Sequence, residues 1–352
     1  QALVIALALA ALLIALQRPV GELSFRLLGP APEVLEPAWT YYSVRIWAAP
    51  AVLANFALIG WFIGRQNTRA PLAIMLTTNL VNIVLSIAFV MGLGYRTGGV
   101  AAASVLAEAA GLGVGVWLAR AALAGTGGSF DRARILDPEA LRRVLSVNAN
   151  LLVRTLSLMF VFAFITAQGA RMGTAILAAN AILIQFQYLM SYGLDGFAHA
   201  AEALAGRAIG ERNPEGFRLA VRRSLIWSAA VASAYALAYA LAGQPIVGLL
   251  TSQEELRSLA GDYLPWIIVS PLVSVWSFLW DGVFVGATWA DAMRNTMLVS
   301  TFLVFVPVFY LTQYAGLENH GLWLSFVVFM VARAVTMGTV FRQRAPTLFA
   351  RA

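Results

Sequence analysis

Apolar stretches of about twenty residues, the length of helix that crosses a lipid hydrocarbon core, recur along this whole sequence. "TYYSVRIWAAPAVLANFALIGWFIG" (40–64) is one and "GLWLSFVVFMVARAVTMGTVF" (321–341) another. Hydrocarbon holds no water to pair backbone N–H and C=O groups, so each stretch must close its own hydrogen bonds as a helix. Of 352 residues, 60% are hydrophobic and 12% charged, with a mean hydropathy of +0.77. A soluble domain carries about twice that charge. The fold class is therefore all-α and polytopic. Ten spans are predicted, near 2–16, 40–63, 72–93, 99–119, 148–167, 175–206, 219–241, 263–287, 294–315 and 321–341.

Several function classes drop out early. Cysteine is absent and histidine occurs twice, which leaves no disulfide framework, no thiolate metal site and no HExxH or CxxC pattern. The net charge is +7 and every basic residue is arginine. Nucleic acid is not needed to explain it, because alternating the spans across a bilayer sorts the arginines. One side takes Arg65, Arg69, Arg120, Arg132, Arg134, Arg142, Arg143, Arg207, Arg212, Arg218, Arg222, Arg223, Arg294, Arg342, Arg344 and Arg351. The other takes Arg18, Arg26, Arg96, Arg171 and Arg257. The arginine-rich side, with the C-terminus, is expected to be cytoplasmic, in a multi-pass protein of the cell membrane.

The longest polar connection, "AGTGGSFDRARILDPEALRRVLS" (124–146), is expected to link two lobes, 1–123 and 147–352. Its end, led by "DPEA", is predicted to be a short basic amphipathic helix. A shift of 222 residues pairs "LLGPAPEVLEPAWTYYSVRI" (27–46) with "LLTSQEELRSLAGDYLPWII" (249–268). It also pairs "IGWFIG" (59–64) with "DGVFVG" (281–286), and Gly94 and Gly99 with Gly316 and Gly321. Two like lobes in a membrane imply a transporter that rocks about a central cleft. The second lobe has two helices ahead of the paired region and the first has none, so two N-terminal helices are expected in the intact protein.

Charge inside a bilayer is costly, which makes each buried ionisable group a functional candidate. Glu108, Asp195, Glu202 and Asp281 fall within predicted spans, with Arg45, Arg154 and Arg333. Asp195, His199 and Glu202 follow one another at i, i+4 and i+7 and so share a helix face. Asp281 stands where the repeat has Ile59, so the helix itself does not require a carboxylate there. The rival reading of each acid is a structural ion pair, for Asp281 with Arg154 or Arg333, or a side chain snorkelling from a helix end. Burial raises a carboxyl pKa and a neighbouring arginine lowers it, so acids balanced between the two are suited to exchanging a proton or Na⁺. His199 is a candidate relay and Asn180 a candidate partner for the ion, which is H⁺ or, at Asp195 or Asp281, Na⁺. Asn82, Ser86, Ser104, Gln185, Tyr188, Trp276 and Trp280 are candidates for a substrate cleft, though such side chains also pack between helices. Pro50 and Pro271 fall mid-span and are candidate hinges.

The chain resembles the multidrug and toxic compound extrusion (MATE) transporters, in their DNA-damage-inducible protein F branch. The resemblance is carried by "NANLLVRTLSL" (148–158), "AANAILIQFQYLMSYGLDGFAHAAEALAGRAIG" (178–210), "LLTS" (249–252) and "DGVFVGATWADAMRN" (281–295). "GRQNTRAPL" (64–72), "NLVNIVL" (79–85) and "SVLAE" (104–108) extend it through the first lobe. It implies twelve helices in two six-helix lobes around a V-shaped cleft. It also implies export of cationic or amphipathic small molecules against inward H⁺ or Na⁺, without an enzymatic step or a resident cofactor. By motif, Arg154, Asn180, Asp195, Glu202 and Asp281 form the polar set of the second lobe, and Asn82 and Ser104 match a first-lobe cation site. An acid common four residues after the asparagine is Ser86 here, and the acid of the family's first helix has no counterpart. Partners are expected to be the exported compounds and membrane lipids, with the protein a monomer. A flippase for lipid-linked oligosaccharides would want a more cationic cleft, an intramembrane enzyme a nucleophile and base, and a channel a repeated pore segment.

Overall fold

The computed structural model describes residues 1–28, 32–124 and 137–349. Most of the expected linker, residues 125–136, lies outside the described residues. Contacts divide the chain into two units, Gln1–Val144 and Leu145–Ala352. Among the described residues nine helical segments are long and apolar enough to span a membrane. A tenth results if one bent pair is counted as a single span.

That pair opens unit 1. Helix α1 (Ala2–Ala15) meets α2 (Gln17–Leu28) at 65°. Fourteen residues of α1 make only about 21 Å of helix, short of the ~30 Å core. The predicted span at 2–16 is thus one arm of a bend. Helix α3 (Pro32–Arg45) packs beside α2, where Gly21 leaves room for Trp39 and Tyr42. The Tyr42 hydroxyl donates to the Gln17 carbonyl at 2.9 Å.

A 3-10 turn (Ile46–Ala48) separates α3 from α4 (Ala49–Gly64), which has Pro50 in its first turn. Proline has no N–H to give to the preceding turn, so the ladder breaks there. Helix α5 (Arg69–Ile87) is capped by Asn67, whose Oδ1 accepts from the N–H groups of Arg69 and Ala70, and runs on as a π-turn (Ala88–Gly92). Helix α6 (Thr97–Leu123) buries Gly99, Ala103, Ala107, Gly111, Gly115 and Ala119, one small residue every fourth position. Such a stripe lets helices approach closely in a medium with no hydrophobic drive to pair them.

The start of unit 2 falls within α7 (Pro138–Met172), 35 residues and so about 52 Å long. The amphipathic piece expected as a separate helix is its first turns. Helices α8 (Thr174–Gly210), α9 (Pro214–Leu250) and α10 (Glu254–Gly286) follow. Each runs beyond its apolar stretch, because nothing in the polar flanks breaks it. Asn213 caps α9 by accepting from the Gly216 N–H at 2.8 Å. Pro271 does not interrupt α10, unlike Pro50 in α4. Helix α11 (Ala290–Leu298), a π-helical stretch (Val299–Phe305) and α12 (Val306–Tyr314) make one span, and α13 (Glu318–Arg344) the last.

Aromatic side chains fill the middle of unit 2: Phe186, Tyr239, Phe305, Trp323, Phe326 and Phe329 are all buried. Phe186 and Met190 of α8 belong to this core. Their place inside the bundle follows from helical spacing with Leu183 and Leu194 on the same face of α8.

Candidate functional site

The two helices that carry most of the candidate acids touch through their backbones. A Cβ added at Gly282 of α10 would lie 2.0 Å from the Ala198 carbonyl oxygen of α8. One added at Gly286 would lie 2.5 Å from the Glu202 carbonyl oxygen. Only glycine fits at either position. This G-xxx-G pair therefore sets α8 against α10 and fixes where Asp195, His199 and Glu202 stand relative to Asp281.

Asp281 is engaged from two sides. Its Oδ2 accepts from Arg154 Nη2 of α7 and from Arg333 Nη2 of α13, the latter at 2.8 Å. Arg333 is 3% exposed, sits over the Phe329 ring and also approaches the Met330 sulfur. Arg154 Nε, Arg333 Nε and Asp281 Oδ1 are buried and unpaired. Two guanidinium groups thus face one carboxylate, and by formal charge the triad is a single positive centre. A cation would meet two like charges there, so Asp281 does not fit a Na⁺ ion in this arrangement.

Asp195 has the opposite environment. It is exposed on α8 and makes no hydrogen bond or ion pair among the described residues. His199, Asp281 and Arg154 are within its electrostatic reach. With Asp195 included, the four groups Arg154, Arg333, Asp195 and Asp281 balance to zero. His199 Nδ1 lies 3.3 Å from Glu202 Oε2, so the other two members of the stripe pair with each other. Among the described residues no three of His, Cys, Asp or Glu form a metal-binding group.

Asn180 lies apart from these charges and is 1% exposed. Its Nδ2 donates to Asn319 Oδ1 at 2.8 Å, and its Oδ1 accepts from Asn319 Nδ2 at 3.0 Å and from Trp323 Nε1 at 2.9 Å. This reciprocal amide pair pins α8 to α13 and occupies both acceptor positions of the Asn180 oxygen. Gln187 is likewise buried, bonded to Ser270 at 2.8 Å beside Pro271. Gln185 and Tyr188 are exposed, Tyr188 beside the Phe162 ring at 5.9 Å. Trp276 and Trp280 line a separate groove along α10 and α13.

In unit 1, Asn82 Nδ2 donates to Ser104 Oγ at 2.9 Å, joining α5 to α6. Ser86, one turn further along α5, is half-buried. Glu108 is held by Arg45 at 3.6 Å and by Asn55, whose Nδ2 donates to Glu108 Oε2 at 3.2 Å. Asn55 and Asn319 were not among the sequence candidates. For Asn55 a signal existed, a lone amide in the run "APAVLANFALIGWFIG" (49–64).

A multi-pass helical bundle with ionisable side chains assembled inside it has the construction of a membrane transporter. The comparisons specify which kind. The chain belongs to the MatE family, whose model matches residues 1–88 and 151–311. It is 38% identical to DNA damage-inducible protein F of Escherichia coli (strain K12), over 97% of this chain and 74% of that protein. Protein DETOXIFICATION 43 of Arabidopsis thaliana is 25% identical over 87% of this chain and 57% of its own length. A MOP superfamily transporter from Pyrococcus furiosus shares the fold, with a TM-score of 0.87 at 21% identity, covering 98% of this chain and 78% of that one.

Proposed function

We propose that this protein is a secondary active exporter of amphipathic or cationic small molecules, driven by inward H⁺ or Na⁺ through alternating access. The observation that carries the reading is the contrast of two acids in unit 2: Asp281 clamped by Arg154 and Arg333, and Asp195 without a hydrogen bond or ion pair among the described residues but within reach of Arg154, His199 and Asp281. Asp195 is the ion-exchanging group. When it takes H⁺ or Na⁺ its charge is cancelled, and the remaining three groups carry one net positive charge in a poorly solvated place. That excess favours a state in which Arg154, half-buried on α7, moves toward water. Loss of the ion restores the balance and the clamped arrangement. An ion that binds the two states unequally biases the equilibrium by the difference in its affinities.

His199 and Glu202 continue the stripe toward the arginine-rich side, which is the cytoplasmic one, and offer the ion a second stop. Asn180 acts by holding α8 against α13 and not by touching the ion. In unit 1 the bonded pair of Asn82 and Ser104 is the proposed contact for the exported compound or an ion. The test is efflux from proteoliposomes holding the full-length protein, with Na⁺ and pH gradients imposed separately. Asp195→Asn and Asp281→Asn should each abolish gradient-driven efflux. Efflux at the wild-type rate in Asp195→Asn would refute the assignment.

A further inference from the structure

A groove of about 620 Å³ runs along unit 2 between α10 and α13. Trp276 and Trp280 form one wall, Val331 and Val335 the other, Gly338 lies in its floor and Arg342 stands at its end. From Val331 to Arg342 the helix advances about 16 Å, half of a hydrocarbon core roughly 30 Å thick. The groove is thus one leaflet deep. Its walls are uncovered: Trp276 is 42% exposed and Val335 57%.

Its polar end is built from two donors. Arg344 is already bonded to Asp291 at 2.7 Å, whereas Arg342 has no carboxylate partner among the described residues. The Trp280 ring is held against Phe341 at 4.5 Å, and its Nε1 lies 3.6 Å from where a Gly338 Cβ would be. An indole N–H and a guanidinium without a carboxylate partner among the described residues therefore both line this apolar trough. Arg342 is on the arginine-rich side of the chain.

We propose that this groove binds an anionic phospholipid of the cytoplasmic leaflet. An acyl chain lies against Trp276, Val331 and Val335, and the phosphate is held by Arg342 and the Trp280 N–H. Charge selects the occupant: a cationic compound, or the ammonium of a zwitterionic lipid, would be repelled at Arg342. The site has a consequence for the ion centre, because Asp281 follows Trp280 directly on α10 and the buried Arg333 sits on α13 between the groove residues Val331 and Ala334 without lining the groove itself. A lipid seated here braces the two helices that hold that pair. The proposal depends on the membrane orientation and is independent of which ion drives transport.

Native mass spectrometry of the full-length protein in detergent tests it, with phosphatidylglycerol and phosphatidylcholine of matched chains as probes. Phosphatidylglycerol should be retained about fivefold over phosphatidylcholine, the effect of one arginine near a headgroup. Arg342→Ala should bring the two lipids to parity while Arg342→Lys keeps the preference. Gly338→Leu, which puts a side chain into the floor, should lower retention of both. No preference in the wild type, or a preference that survives Arg342→Ala, would overturn the proposal. Displacement of the lipid by an excess of an exported compound would overturn it too, by making the groove a substrate site.

Discussion

Asp281 and Asp195 are the same residue type in the same bundle, yet their surroundings are opposite. Removing the charge of Asp281 strands Arg154 and a wholly buried Arg333, and breaking a buried pair in this way costs about 3 kcal/mol or more. Removing the charge of Asp195 breaks no hydrogen bond or ion pair among the described residues, and the half-buried Arg154 can turn the centre's excess charge toward water. Asp281→Asn should therefore lower unfolding stability in detergent by about 3 kcal/mol, and Asp195→Asn by less than about 0.5 kcal/mol. Equal losses would mean that Asp195 has a structural partner. Asn180→Ala should cost about 1–3 kcal/mol, because Asn319 and Trp323 are left with unpaired donors, while gradient dependence per folded molecule is unchanged. The candidate acids were legible because charge in an apolar run is conspicuous. Their partners were not: Arg154 and Asp281 are 127 residues apart, and Asn180 and Asn319 139. No local pattern encodes such a meeting.

At the scale of elements, glycine decides where the site sits. Gly282→Ala would drive a methyl into the Ala198 carbonyl, so α8 and α10 must separate. The expected result is a loss of more than about 2 kcal/mol and weakened ion dependence, read by unfolding and by efflux. Gly196, next to Asp195, has nothing within 4 Å of an added Cβ, and Gly196→Ala should gain about 0.5–1 kcal/mol from helix propensity alone. If both substitutions behaved alike, the backbone contact would not be what positions α8. The spans themselves were legible from hydropathy, because the bilayer demands their length. Their ends were not. Polar flanks such as "DPEALRRVLS" (137–146) are as helical as the core of α7, and Pro19 in "ALQRPVGEL" (15–23), which has no N–H to give, marks a break without fixing its 65° angle. Pro50 and Pro271 show the same limit: one adjoins a 3-10 break and the other sits in continuous helix, depending on packing that a single residue does not report.

For the molecule as a whole, arginine placement sets orientation. Because the chain lacks cysteine, single cysteines can report it. Thr347→Cys should react with a membrane-impermeant thiol reagent only in inside-out vesicles, and Ala315→Cys only in right-side-out ones. The reverse result would turn the arginine assignment over. The proposed exchange of one small ion at Asp195 for an exported compound can be read directly, without any gradient, as ion release when that compound is added to purified full-length protein in lightly buffered detergent solution. Wild type should release H⁺ or Na⁺ on each addition and Asp195→Asn should release neither. Undiminished release by Asp195→Asn would contradict it.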